Sequence, residues 1–290
     1  MGVAPYAPPR RRARNRPIVL FLLALGAALT AAALLASWAQ WQLLDSATFS
    51  DTSTKLLENG AVRSQLARYL VAEVNRGQIA GADRRRFQQA VEQALQTSSA
   101  RRAWASATQD AHAQVVDLVH DPNAQTARLD LRRLVRVTAR RVGIPANFVD
   151  AAPLGSYKVK ILDSGQLRSA RTAADSLQKA ATLLLVLTAL VLVAAVGLAS
   201  NWRRTAIAGA AVAVAIGAAV VLIARAVVGT QVVDVLVPNG GQTRDAASAA
   251  WSISTSLLST MAVVALVAAA LVVVAAVIAG RVRGPRRAGV

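Results

Sequence analysis

The feature that most limits what this chain can become is the segment Arg10 to Trp38. There a basic cluster, RRRARNR, runs straight into the uncharged stretch IVLFLLALGAALTAAALLASW. A helix crosses a hydrocarbon core of roughly 30 Å with about 20 apolar residues, because all its backbone hydrogen bonds are made internally. The stretch therefore predicts a membrane anchor. Five arginines and no acid precede it, which keeps the N-terminus in the cytoplasm and brings the chain out on the far side near Trp38.

Over 290 residues the chain is 54% hydrophobic but only 4% aromatic, and its apolar residues are gathered in blocks. Residues 18–38, 180–199, 205–228 and 257–280 read as four transmembrane helices. Between the first two, residues 39–179 have the size of one ordinary domain. Residues 1–17 read as a disordered basic cytoplasmic N-terminus, 229–256 as an outer loop and helix, and 281–290 as a basic cytoplasmic tail. The apolar part of the first block exceeds a signal peptide's core, so an uncleaved anchor is expected although Ser37-Trp38-Ala39 approximates a cleavage pattern.

A net charge of +18 would suggest nucleic acid in a soluble protein, but its placement argues otherwise. Residues 10–16, Arg203 with Arg204, and Arg281, Arg283, Arg286 and Arg287 hold eleven arginines and no acid. Four spans put all three segments on one side, so much of the excess is the positive-inside signature. No nucleic-acid partner is expected. The chain lacks cysteine, which excludes disulfides and thiolate chemistry.

From Ser46 to Asp121 the pattern is helical. Phe49, Leu56 and Leu57 share a face, and Asn59-Gly60 breaks the segment. Val62, Leu66, Leu70 and Val74 make an amphipathic helix ended by Gly77 and Gly81. Phe87, Val91, Ala94 and Leu95 make the next, and Trp104, Ala111, Val115 and Leu118 a longer one. After the turn at Asp121-Pro122-Asn123, only ARLDL (127–131) and YKVKIL (157–162) alternate like strands. Leu131, Leu134, Val135 and Val142 form a helix between them, ended by Gly143 and Pro145.

From Gln166 the beat of Leu167, Ala170, Ala174 and Leu177 runs unbroken into the second span, predicting one long helix packed on the outer helices. The fold class is thus mainly α: four transmembrane helices and a small helical extracytoplasmic domain with at most one short two-stranded β element. Trp38, Trp41, Trp202, Arg203, Arg204 and Trp251 read as membrane-interface anchors. Gly209, Ala213 and Gly217 recur every four residues, the spacing that lets helix backbones approach closely in lipid. This stripe is expected to hold the third span close behind the second.

The layout resembles a group of uncharacterised actinobacterial four-span integral membrane proteins with a helical extracytoplasmic domain. The resemblance is carried by ATFSDTSTKLLENGAVRSQLARYLVAEV, by RAWASATQDAHAQVVDLV and by ARLDL before a helix ending in Gly. It implies an architecture and no activity.

Residues with chemistry are few. His112, Asp117, His120 and Asp121 occupy one predicted helix; Asp117, His120 and Asp121 could share a face toward a metal, whereas His112 lies about two turns from His120. The plainer reading is a polar helix face, and no metal or cofactor is expected. Arg225 is the one clear charge inside a predicted span, near its outer end, where a long side chain snorkels to the headgroups. Residues 38–179 hold 20 Lys and Arg against 13 acids, suited to anionic lipid or envelope polymers.

These features predict a multi-pass protein of the cell membrane with both termini cytoplasmic. Its partners are the lipid bilayer and another membrane or envelope protein. The expected role is a non-enzymatic scaffold or accessory subunit. The alternative is a transport or lipid-handling component that binds an apolar ligand between the outer helices and the third and fourth spans.

Overall fold

The computed structural model describes residues 16–74, 84–120, 127–141, 143, 158–162, 164–199, 203–237 and 241–282. In these the chain forms α1 (Arg16–Leu44), α2 (Ser46–Glu58), α3 (Gly60–Val74), α4 (Arg84–Leu95), α5 (Ser98–His120), β1 (Ala127–Asp130), α6 (Arg132–Arg141), β2 (Lys158–Leu162), α7 (Ser164–Leu198), α8 (Arg203–Leu236), α9 (Gln242–Ser254) and α10 (Ser256–Val282). The fold is mainly helical. The Pro-rich N-terminus, Gly77, Gly81, the turn at 121–123, Pro145, the Ser200–Trp202 link, the Pro238–Gly240 turn and the arginines after Val282 lie outside the described residues.

Four helices are long and apolar enough to cross a membrane, over Arg16–Leu44, Ser176–Leu198, Arg204–Val235 and Ser256–Ala279. The helices that contain them extend past the spans read in the sequence. Helix α7 is one uninterrupted 35-residue helix, as its unbroken beat predicts. Helix α8 runs on to Leu236, so residues 229–236, expected to open an outer loop, are helical. Beyond Gly229 the apolar sequence QVVDVL continues the helix, and Val233 is buried.

The chain divides into two units. The first comprises Met1–Ser37, Ala180–Ala224 and Leu258–Val290. Its large side chains are turned outward: Leu183, Val193, Val264 and Leu271 are all more than half exposed, an apolar surface of the kind that faces lipid. Inside, small residues set the spacing. A Cβ on Gly217 would lie 2.5 Å from the Ala27 carbonyl oxygen and 2.9 Å from Thr30 Cβ, and one on Gly26 would lie 2.6 Å from Leu192. Helix α1 thus meets α8 on one side and α7 on another. The Thr30 hydroxyl, buried between such contacts, donates to its own helix at Gly26 O (2.7 Å), which removes an otherwise unpaired polar group.

The second unit comprises Trp38–Lys179 and Arg225–Leu257. Its short helices are punctuated by side chains that satisfy their ends. Asp45 accepts from Thr48 N (2.7 Å) at the start of α2, and Asn59 accepts from Ala61 N and Val62 N at the start of α3. Arg63 donates to the last carbonyls of α2, Leu57 O and Glu58 O, and Asp130 accepts from Arg132 N to begin α6. Gly143, at φ 79°, takes the left-handed conformation beyond α6 that a side chain resists.

One apolar cluster then joins Leu57 of α2, Leu70 and Val71 of α3, Val91 and Leu95 of α4, Ala100 and Ala103 of α5, and Leu134 and Val135 of α6. Trp104 packs against it and donates from Nε1 to Ser53 O (2.9 Å), tying α5 to α2. The strands pair antiparallel, with Arg128 opposite Lys160 and Asp130 opposite Lys158; α5 lies beside β1 and supplies the cover that so short a ribbon needs. Helix α9 packs on α3 and α2.

Candidate functional site

In the second unit a cleft of about 310 Å³ lies between α8 and α9. Its geometry begins with Gly229. A Cβ there would overlap the indole of Trp251, so the missing side chain is what lets the Nε1 edge of the ring come up against α8. Held there, Trp251 donates from Nε1 to Arg225 O (3.3 Å).

Arg225 answers in the other direction. Its Nε donates to Thr255 Oγ1 (2.7 Å) and its Nη2 to Ser252 O (3.3 Å), while the Thr255 hydroxyl donates to Trp251 O (2.7 Å). Trp38 Nε1 donates to Ser254 O (3.3 Å). The last carbonyls of a helix have no partner within it and carry the negative end of its dipole. Here Trp38, Arg225 and Thr255 satisfy three of them, and the chain turns at buried Thr255 directly into α10. Arg225 is half-buried and engaged by protein, not simply extended toward headgroups.

The rest of the cleft combines charge, hydroxyls and apolar wall. Arg244 lines it and is paired with Asp234. Thr230 and Ser248 face it with hydroxyls that already donate to Val227 O (2.8 Å) and Ser248's own helix at Asp245 O (3.0 Å). Their lone pairs therefore remain as acceptors. Val233 supplies apolar surface.

The histidine pattern resolves differently. His112 is buried, its Nδ1 is 3.0 Å from Ser46 Oγ and its Nε2 3.2 Å from Leu43 O. A carbonyl can only accept, so Nε2 carries the proton and Nδ1 accepts from the Ser46 hydroxyl. Phe49 stacks on the ring at 4.3 Å. Burial lowers the His112 pKa below its ordinary 6.5, opposed in part by the bond to Leu43 O and the charge of Asp45. This imidazole is a neutral strut between α5 and the start of α2. Asp117 is exposed, the His120 side chain and Asp121 lie outside the described residues, and no group of three potential metal ligands occurs among the described residues.

The remaining sequence-marked residues fall as follows. Trp41 and Arg204 are exposed, Trp202 and the Arg203 side chain lie outside the described residues, and Trp38 and Trp251 are half-buried in the capping network. Gly209, Ala213 and Gly217 share one face of α8, and at Gly209 and Gly217 the close approach is to α1, through Leu23 and Ala27, where α7 was expected. A four-residue stripe marks which face packs and carries no information about the partner helix. Sequence reading missed Thr255 and Ser46, whose roles depend on partners 30 and 66 residues away. Comparison with known protein families, curated proteins and solved structures gives no match.

Proposed function

We propose that this multi-pass membrane protein presents its second unit outside the cytoplasm as a non-enzymatic scaffold or accessory subunit, with both termini cytoplasmic. The observation that supports this role is the use of the unit's chemical groups as structure. Both nitrogens of His112 and the guanidinium of Arg225 are engaged in holding helices together. The orientation rests on the arginines at 10–16, 203–204 and 281–287. The resemblance to the actinobacterial four-span group belongs to the same proposal.

Protease added to intact spheroplasts should cut within residues 39–179; protection of that segment with digestion of the tail would invert the topology. Affinity purification from native membranes in mild detergent should then recover a second membrane or envelope protein in fixed ratio, cross-linked to the second unit. Recovery of the chain alone would remove the scaffold reading.

A second reading, lipid handling, is favoured by the cleft between α8 and α9. It predicts that the chain purified in this way retains lipid, and that Ser248→Trp, which fills the cleft, releases it.

A further inference from the structure

We propose that the cleft between α8 and α9 holds the phosphate of an anionic phospholipid, gripped by Arg225 and Arg244 and bordered by the indole of Trp251. The proposal rests on the lipid-handling reading and adds to it the class of headgroup.

The first argument is depth. The apolar part of α8 covers 32 residues, from Arg204 to Val235, whereas about 20 suffice to cross the hydrocarbon core. A helix rises about 1.5 Å per residue, so the distance along α8 from Arg204 to Arg225 is about 32 Å, close to the hydrocarbon thickness. With Arg204 at one interface, Arg225 reaches the other, and the cleft beside it opens at the level of phospholipid phosphates. Trp251 is of the residue type that favours that layer.

The second argument is the donor set. Arg225 is fixed through Nε and Nη2, while its Nη1 makes no bond to protein among the described residues. Arg244 is exposed and paired only at Nη2, with Asp234. Two planar guanidiniums on one cleft, both held in place beforehand, offer their remaining N–H donors to the oxygens of a tetrahedral phosphate with less loss of side-chain freedom than lysines would. Among the described residues no acid lines the cleft. A choline headgroup would bring a cation toward both arginines, whereas an anionic headgroup brings none.

The third argument is the remaining wall. Thr230 and Ser248 have spent their protons on backbone carbonyls and offer acceptors to headgroup hydroxyls. A volume of about 310 Å³ is at the lower end of ligand pockets, suited to a headgroup without its acyl chains.

The test uses the full chain purified in neutral detergent, with dioctanoyl phosphatidylglycerol, dioctanoyl phosphatidylcholine and inorganic phosphate as probes. Binding is read by native mass spectrometry and thermal shift. Phosphatidylglycerol should bind at one site about tenfold more tightly than phosphatidylcholine, a difference worth roughly 1.4 kcal/mol. Arg244→Gln, at an exposed position that does not threaten the fold, should abolish the preference, and Asp234→Asn, which releases Arg244, should increase it. Equal binding of both lipids, lost in Ser248→Trp, would overturn the headgroup assignment and leave lipid handling standing. Binding of neither lipid would overturn both. Inorganic phosphate that reproduces the full thermal shift would overturn the lipid as the source of the anion.

Discussion

Arg225 and Thr255 are joined by a 2.7 Å hydrogen bond between the end of α9 and a long apolar helix, and the same threonine donates to Trp251 O. One hydroxyl thereby serves as acceptor for a cation and donor to a helix terminus. Thr255 is 2% exposed, so water cannot take its place.

Thr255→Val keeps the shape and removes both bonds. It leaves a half-buried guanidinium hydrogen unsatisfied, a cost of about 1–3 kcal/mol for such a group, whereas Trp251 O keeps its bond from the residue 255 backbone N–H (3.0 Å). Thermal unfolding of the purified protein should show this loss, and Thr255→Ser should recover most of it. A valine variant as stable as the parent would mean that the network is incidental.

Gly217 and Gly209 lie on the same stripe but predict different losses. A Cβ at 217 meets the backbone of α1 at Ala27 O, which cannot rotate away; one at 209 meets the end of the Leu23 side chain at 3.0 Å, which can. Gly217→Ala should therefore cost about 1–3 kcal/mol by overpacking, and Gly209→Ala under about 1. The order of the two melting temperatures in one detergent is the measurement, and the reverse order would displace α1 as the neighbour.

What the sequence revealed of this fold is what local pattern carries. Long uncharged runs marked the four spans, and the spacing of Leu66, Leu70, Val91 and Leu95 marked faces that enter one core. Asn59-Gly60 marked a break because Asn59 accepts from the helix that follows. The cleft was only half visible. Arg225 and Trp251 stood out as a charge and an aromatic in apolar surroundings, yet the bond from Trp251 Nε1 to Arg225 O depends on the room that Gly229 leaves for the indole. A glycine that makes room for an indole has the same letter as one that ends a helix, and only the partner distinguishes them. Spacing set His112 apart from Asp117, His120 and Asp121 but did not show what holds it. Its partners, Leu43 and Ser46, come from the other end of the domain.

Leu134 of α6 is fully buried in the cluster that also takes in Leu57 and Leu95. Leu134→Ala removes buried methyl groups and leaves a cavity, for an expected loss of about 2–5 kcal/mol. The four spans retain their hydrophobicity, so membrane insertion should be unchanged while proteolysis between Ser46 and Arg141 accelerates. Equal proteolysis rates for parent and variant would show that α6 does not close this core.

The last prediction concerns pH and follows from the neutral state of His112. Its folded pKa lies below the unfolded value of 6.5, chiefly because burial penalises the charged ring. Above pH 6.5 both states are neutral and the histidine's contribution is fully present. As pH falls below 6.5 the unfolded chain takes up a proton that the folded chain refuses, so stability declines until the folded pKa is passed. Asp45 beside it titrates in a separate window. The Thr48 backbone N–H holds its carboxyl below the ordinary 3.8, so its contribution is lost only under about pH 4. Melting temperatures taken from pH 8 to pH 5 should therefore fall on the acid side of 6.5. His112→Gln, which keeps a donor and an acceptor but cannot charge in that range, should have a lower melting temperature at pH 8 and a flatter slope toward pH 5. A glutamine variant with the parent's slope would assign the acid sensitivity to another group and remove His112 as the neutral strut between α5 and α2.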